Sequence, residues 1–416
     1  MSAYRDVVIA GGGMVGVSLA LQLGELLSDK VSITLIEGFP FPESLAGVAP
    51  SYHPSFDARS TALSYSSRLI YEKIGVWSDL QQWLCPIERI HVSSRGHFGS
   101  TLMRADEYGW PALGYVVENT WLGSTLIQAL YRQGRVEVVS PAKVLKATLV
   151  ERGVQLSMQG FSESDLETSL LLVADGANSG LRKQLGVAAQ EKSYRQHALI
   201  ANVASAEKHD NCAFERFSDQ GPIALLPLLS APGGEARSAL VWTLAPHRAN
   251  ELLVCPEQEF LQALQERFGY RLGRLQHVGE RHVYPLSLVQ STEQARKGVV
   301  VMGNAAHALH PVAGQGYNLA LRDVAALGHE LAAAEADGVS LGDLSVLQRY
   351  CDKQRADQDR TVSASDMLPS LFMHPNPVLG LARSIGLSGL DVLPAVKREV
   401  VRYAAGVGEM EGVPRG

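Results

Sequence analysis

Asp6-Val7-Val8-Ile9-Ala10-Gly11-Gly12-Gly13-Met14-Val15-Gly16 decides the fold. An apolar run of five-residue scale ends in glycines, as a central parallel strand does before a tight turn. A helical pattern follows through Met14, Val17, Leu19, Leu21, Leu23 and Leu26. Val31 to Glu37 then reads as a second strand. This is a βαβ opening. Gly11, Gly13 and Gly16 fit the spacing GxGxxG in that setting. The first permits the turn, the second lets backbone approach a pyrophosphate, and the third lets helix pack close to strand. Free N–H groups and the positive dipole end of the helix suit phosphate oxygens. Glu37 ends the second strand and can accept hydrogen bonds from ribose hydroxyls.

This opening does not separate FAD from NAD. Two later segments do. Leu170 to Ala174 is a buried-strand candidate that runs into Asp175-Gly176. Gly298 to Met302 is another, and it runs into Gly303-Asn304. His310-Pro311-Val312-Ala313-Gly314-Gln315-Gly316-Tyr317-Asn318 then leads into an alanine-rich helix, Leu319 to Ala334. Glycines at 314 and 316 let backbone approach a flat ring. The helix would aim its N-terminus at that ring, where a reduced flavin carries negative charge. No single stretch of chain spans a cofactor as long as FAD; these three together do.

The chain has 416 residues, enough for two domains. A net charge of -6 argues against a nucleic-acid partner. Cys85, Cys212, Cys255 and Cys351 lie far apart without a CxxC, which points away from a metal site and towards reduced thiols. The N-terminus reads straight into a strand with no cationic leader, and no apolar run is long enough for a membrane span. The nearest, Met367 to Ala382, contains Pro369, Pro375 and Pro377, which argue against a helix there. The expected location is cytoplasmic; a chain that does not cross a membrane can still lie on one, here at the inner membrane face. Between Gln196 and Leu286 the pattern changes to antiparallel strands, including Ile223–Leu228 and Ser238–Thr243, with a turn at Pro232-Gly233-Gly234.

The expected class is α/β: a Rossmann-like FAD-binding domain, an inserted antiparallel-sheet substrate domain and a C-terminal helical segment. The FAD-binding domain takes 1–75, 116–184 and 291–360; the substrate domain takes 76–115 and 185–290; the tail takes 361–416. The tail reads either as a helical cap on the core or as a surface for lipid or a partner.

The three glycine-bearing segments resemble those of the single-component aromatic flavin monooxygenases with the para-hydroxybenzoate hydroxylase fold, over almost the whole chain. Asp57 to Ser64 (DARSTALS) and Ile74-Gly75-Val76-Trp77 resemble the ubiquinone-biosynthesis branch. His91 to His97 (HVSSRGH), Ala213-Phe214-Glu215-Arg216-Phe217 and Gly221-Pro222 are most similar to its 2-octaprenyl-6-methoxyphenol hydroxylase subgroup. The resemblance implies FAD-dependent hydroxylation of a polyprenyl phenol or methoxyphenol in ubiquinone biosynthesis, with NAD(P)H and O2, through a flavin C4a-hydroperoxide. NAD(P)H would visit as a transient co-substrate, since a second GxGxxG is absent. It places Gly11, Gly13, Gly16 and Glu37 on the ADP half and Arg59 at the pyrophosphate or flavin side. Asn119 falls at the chain between ring and phosphates, Asp175 and Gly176 at FAD and NAD(P)H, and Pro311, Gly314, Gly316 and Asn318 at the isoalloxazine. Asn304 stands where the family has aspartate, and its carbonyl oxygen keeps the acceptor for a ribityl hydroxyl. The phenol base remains unassigned; His97, His307 and His310 read more readily as structural. A membrane-bound substrate also implies a protein assembly or peripheral membrane contact. A same-fold hydroxylase of a soluble aromatic, and a non-catalytic flavin-bearing assembly factor, stay open as alternatives.

Overall fold

The computed structural model describes residues 3–42, 59–95, 100–161, 165–218, 220–231, 233–310, 314–373 and 394–407. Strands and helices are numbered in chain order. The first sheet runs β18 (Ala295–Arg296), β19 (Val299–Val301), β11 (Asp165–Val173), β1 (Ala3–Ala10), β2 (Ile33–Ile36), β8 (Glu137–Val139). The hairpin of β9 (Lys143–Val150) and β10 (Gly153–Gln159) adds to β11. β19, β11, β1, β2 and β8 are mutually parallel.

Both faces of this sheet are covered, which is why its strands read as unbroken apolar runs. Val7, Ile9, Leu35, Leu170, Leu172 and Val300 face one core, with α1 (Met14–Leu26), α4 (Asn119–Gln133) and α8 (Gln315–Ala336). Val8, Ala10, Ile36, Leu171, Val173, Val299 and Val301 face the other, with β9, β10 and α5 (Gly180–Gln184). Small residues bring α1 and α8 together: a Cβ on Gly328 would lie 2.8 Å from Gln22 Cγ and 3.1 Å from Leu26 Cδ1.

The second sheet is mostly antiparallel. Its order is β20 (His307–Ala308), β17 (His282–Ser291), β12 (Ala189–Ser205), β15 (Ala236–Leu244), β14 (Gly221–Pro227), β13 (Cys212–Ser218), β5 (Arg89–Ser94), β6 (Ser100–Arg104). β16 (Leu275–Val278) pairs with the end of β12. One face is sealed by α6 (Pro246–Val254) and α7 (Glu257–Phe268), over Leu199, Ile223, Leu225, Leu240 and Trp242. A third, small sheet of β3 (Ser60–Ser64), β7 (Gly114–Glu118) and β4 (Cys85–Ile87) lies between the two.

The tail differs from its sequence reading in one respect. α9 (Leu344–Met373) continues past Thr361 and through Pro369. Pro369 lies near the end of that helix, where its missing N–H removes one bond of a ladder already long enough to hold. α10 (Pro394–Ala404) turns Val401 and Ala405 onto Tyr108, Trp110 and Leu113, while Val396 and Val400 remain exposed. No helix among the described residues is long and apolar enough to cross a membrane.

Candidate active site

The three segments converge on the N-terminus of α1. β1 ends at Ala10; the N–H of Gly11, the next residue, donates to Ile36 O at 2.9 Å, while the Ala174 N–H donates to Ala10 O at 2.8 Å. The Met302 N–H donates to Val173 O at 2.9 Å. The carboxyl ends of β2, β1, β11 and β19 therefore lie in register, carrying Glu37, Gly11, Asp175 and Asn304. The chain turns from β1 to β2 on one side and pairs β11 on the other, so this is the crevice where open α/β sheets bind ligands.

Backbone approaches backbone closely here. A Cβ on Gly11, whose φ is +113°, would lie 2.5 Å from Ala174 O. A Cβ on Gly16 would lie 1.8 Å from Gly11 O. Gly303 has φ +56° and stands 3.2 Å, measured from its would-be Cβ, from Val15 in the first turn of α1. Gly13 is the N-cap of α1, with no side-chain cap and no acidic residue in the first turn. Glu37 is buried, and its Oε2 accepts the Gly12 N–H at 2.5 Å while Oε1 accepts the Phe39 N–H at 2.9 Å. A bare positive helix end beside a held carboxylate is a donor set for a phosphate next to a ribose.

A second uncapped helix end lies alongside. α8 starts at Gly314 in the left-handed region, φ +61°, again with no side-chain cap and no acid in the first turn. The Tyr317 hydroxyl joins it to α1 through Ser18 Oγ at 3.2 Å and Met14 O at 3.5 Å, with Tyr71 OH completing the group. Asn318 is 1 % exposed and uses its whole carboxamide. Oδ1 accepts from Ser64 N–H at 2.8 Å and Ser67 Oγ at 2.7 Å; Nδ2 donates to Ala62 O and Gly314 O, each at 2.8 Å. It fixes the turn into α8 against β3. Among the described residues, Gly316 has only Leu309 Cβ near its would-be Cβ, at 3.9 Å.

The remaining sequence-derived residues spread around these two helix ends. Asp175 and Asn304 are exposed, and Asp175 Oδ2 accepts the Leu181 N–H at 3.3 Å. Gly176, at φ +89°, has no atom of the described residues within 4 Å of a would-be Cβ. Asn119 is buried at the start of α4 and accepts from Thr61 Oγ1 at 2.6 Å, while its N–H donates to Arg59 O at 2.7 Å. The Arg59 guanidinium lies 5.1 Å above the Tyr284 ring of β17. Pro311 and His97 lie outside the described residues. His307 and His310 are buried, and desolvation pushes both imidazoles down to about 4, which leaves them neutral at pH 7.

Two features escape sequence reading. Arg182, 1 % exposed on α5, donates to Ala305 O at 2.7 Å and so ties the Asp-Gly segment to the Gly-Asn turn. The other is a face of the second sheet. Glu215 pairs with Ala224, Ala224 with Val241, Val241 with Ile200 and Ile200 with His282. Directly paired residues share a face, so these five form one row. All are only partly buried, whereas their neighbours Leu199, Ile223, Leu225, Leu240 and Trp242 are sealed beneath α6 and α7. The row looks towards the first sheet: on the same face Asn202 donates to Glu118 Oε1 at 3.3 Å and Arg237 to Glu118 Oε2 at 3.4 Å, beside Asn119.

Comparison with known proteins gives the same frame. A family described as FAD binding domain matches residues 4–364. Ubiquinone hydroxylase UbiL of Rhodospirillum rubrum is 32% identical over 406 residues, 96% of this chain and 89% of that protein. The 3-demethoxyubiquinol 3-hydroxylase of Escherichia coli is 29% identical over 97% of this chain and 98% of its own length. Among solved structures, p-nitrophenol 4-monooxygenase PnpA from Pseudomonas putida superimposes with a TM-score of 0.77 at 18% identity, covering 99% of this chain and 100% of that one. With the glycine turn, the held Glu37 and two bare helix ends in place, the chain belongs to the FAD-binding-domain family of flavin-dependent monooxygenases.

Proposed function

We propose that this protein hydroxylates the ring of a polyprenyl methoxyphenol in ubiquinone biosynthesis, using FAD, NAD(P)H and O2. The observation that carries this reading is the near full-length similarity to relatives named as ubiquinone hydroxylases. The row of Ala224, Val241 and Ile200 supports it, because it offers a flat, apolar floor for an aromatic ring with an apolar tail.

FAD, when bound, supplies acceptance of hydride from NAD(P)H and activation of O2 for insertion into the ring. The chain's own residues do the rest. Gly11, Gly13 and Gly16 admit the pyrophosphate to the α1 N–H groups, and Glu37 takes the adenosine ribose hydroxyls. Arg59 and Asn119 flank the linker between ring and phosphates; Asp175, Gly176 and Asn304 line the crevice at the strand ends. Gly314 and Gly316 leave room for the isoalloxazine plane at the end of α8, with Pro311 in the adjoining segment, and Asn318 holds that turn in place. The half-open face of the second sheet receives the phenol and keeps water from it. The substrate domain of this reading is 76–115 with 185–290, and α10 with its exposed Val396 and Val400 suits peripheral contact with a lipid surface or an assembly partner.

Replacing Glu37 with glutamine tests the adenosine end. The amide loses the charge that strengthens its bonds to Gly12 and Phe39 and turns a donor towards one of those N–H groups. FAD affinity should fall about 10- to 100-fold, a loss of ~1.4–2.8 kcal/mol, read by flavin fluorescence titration. Wild-type affinity in that variant would remove Glu37 from the site.

The direct test of function starts with the absorbance spectrum of the purified protein. NAD(P)H is then added anaerobically, with and without a short-chain prenyl methoxyphenol. Flavin should bleach faster with the phenol, and admitting air should give a product heavier by one oxygen. A protein that neither carries nor takes up FAD, or that turns over soluble phenols alone, contradicts the proposal.

A further inference from the structure

We propose that Glu215 is the residue that accepts the substrate's phenolic hydrogen bond and takes its proton during hydroxylation. This rests on the hydroxylase reading above and names the base that reading lacks.

Ala213, Glu215 and Phe217 alternate with Phe214 and Arg216 along β13, so their side chains leave the opposite face. Phe214 packs edge-on against Phe268 under the sealing helices, with ring centroids 5.7 Å apart. Ala213 packs with Ile87 and Val116 of the small sheet, on the side of the FAD-binding half. Glu215 therefore projects into the half-open side. Its lateral neighbours there are Val92 of β5 and Ala224 of β14.

A carboxyl on such a face is costly unless something uses it. Among the described residues Glu215 has neither an ion-pair nor a hydrogen-bond partner, and desolvation alone pushes it up to about 7. The charges nearby are committed elsewhere. Arg216 leaves the other face, where Arg271 and Arg95 crowd it. α9, which also packs on β13 and β14, holds Asp357 against Arg322 and Asp366 against Lys192 and Tyr194, while Asp359 faces His307. His282, at the far end of the row, lies four strands away from β13. Glu215 is thus the one carboxyl of the apolar row, poised to change charge near neutral pH, where a general base works best.

The step is a proton transfer. The phenol O–H bond breaks, its electron pair stays on the phenol oxygen and feeds the ring, and an O–H bond forms on the Glu215 carboxylate. The proton returns to the phenol oxygen as the aromatic product forms. The sign follows: ionised Glu215 is the competent form, so turnover and phenol affinity should rise as pH increases through about 7.

The test uses the FAD-loaded full chain, Glu215→Gln and Glu215→Asp, and a short-chain prenyl methoxyphenol. Phenol dissociation constants and product kcat/KM are measured from pH 5.5 to 8.5, with thermal melting as a separate readout. Glu215→Gln should lower kcat/KM on the order of 100-fold or more, weaken phenol binding at high pH and flatten both profiles. Its melting temperature should hold or rise, because an unpaired, half-buried charge is gone; Glu215→Asp should recover part of the rate. A Glu215→Gln protein with wild-type affinity, rate and pH profile overturns the assignment while leaving the hydroxylase reading intact. A lower melting temperature with an unchanged pH profile overturns it too, in favour of a structural role. Wild-type protein that binds no phenol overturns both.

Discussion

Gly16→Ala should yield a protein that retains no FAD on purification. The would-be Cβ lies 1.8 Å from Gly11 O and 3.0 Å from Gly11 C, both backbone atoms, so no side-chain rotation relieves the overlap. Gly11 cannot retreat. Its N–H is bonded to Ile36 O, and its own Cα position leaves 2.5 Å between a would-be Cβ and Ala174 O. The first turn of α1 must instead lift off β1, which moves its free N–H groups away from Glu37 and the strand ends. Overpacking of this kind costs typically ~1–3 kcal/mol in a relaxing core and more where backbone meets backbone. A fall in melting temperature of several degrees and loss of the flavin absorbance bands are the expected readouts. Gly316→Ala is the contrast. Its nearest neighbour among the described residues is 3.9 Å away and alanine favours a helix by ~1 kcal/mol over glycine, so the flavin-free protein should be as stable or more so. If the isoalloxazine lies at the end of α8, FAD binding weakens in that variant without loss of stability. Wild-type flavin content in Gly16→Ala would contradict the placement of the pyrophosphate.

The contrast between these two glycines marks how far the sequence could be read. Gly11, Gly13 and Gly16 stand inside one local strand–turn–helix unit, so spacing alone conveys the tight turn and close packing found there. Glu37 is legible for the same reason, since the next strand of a βαβ unit must return beside the first. Asp175 and Gly303 follow apolar runs that only a parallel sheet explains. What brings them to α1, the bonds from Ala174 to Ala10 and from Met302 to Val173, is tertiary and invisible in one dimension. Glu215 shows the limit more sharply. A shift of one residue in the register of β13 would put it under α7 and Phe214 in the crevice, and nothing in the chain's alternation of Ala213, Phe214, Glu215, Arg216 and Phe217 says which face is which. Arg182 is similar: an arginine in a short helix reads as a solvated charge until Ala305 O is found 2.7 Å away. Pro369 does not end α9, because the helix that precedes it is long and packed against α8 and β18, so one missing N–H near its end is tolerated.

Asn318→Asp, a change of one atom, should release the cofactor as completely as Gly16→Ala. Each place on the Asn318 carboxamide is used: two acceptor bonds at Oδ1 and two donor bonds at Nδ2. Aspartate keeps the first pair and sets an oxygen 2.8 Å from Ala62 O and Gly314 O, two acceptors that lose the Nδ2 donor and face a carboxylate oxygen instead. At 1 % exposure water cannot step in. Leaving a buried acceptor unmatched costs ~1–3 kcal/mol, and a buried charge facing carbonyl oxygens adds to that, so a loss on the order of 3–5 kcal/mol is expected. The damage is aimed, because Gly314 O belongs to the N-cap of α8 and Ala62 O to the strand beside it. With the clamp open, the α8 end no longer holds its place against β3, and the isoalloxazine loses its seat while the α1 turn stays whole. The deficit should shrink on acidification, since a protonated carboxyl restores one donor. Flavin content and melting temperature at neutral and mildly acid pH decide the matter. A variant that melts like wild type and keeps its flavin would show that Asn318 is dispensable to the α8 turn; one that regains stability in acid without regaining flavin would show that both donor bonds are needed to present the helix end to the ring.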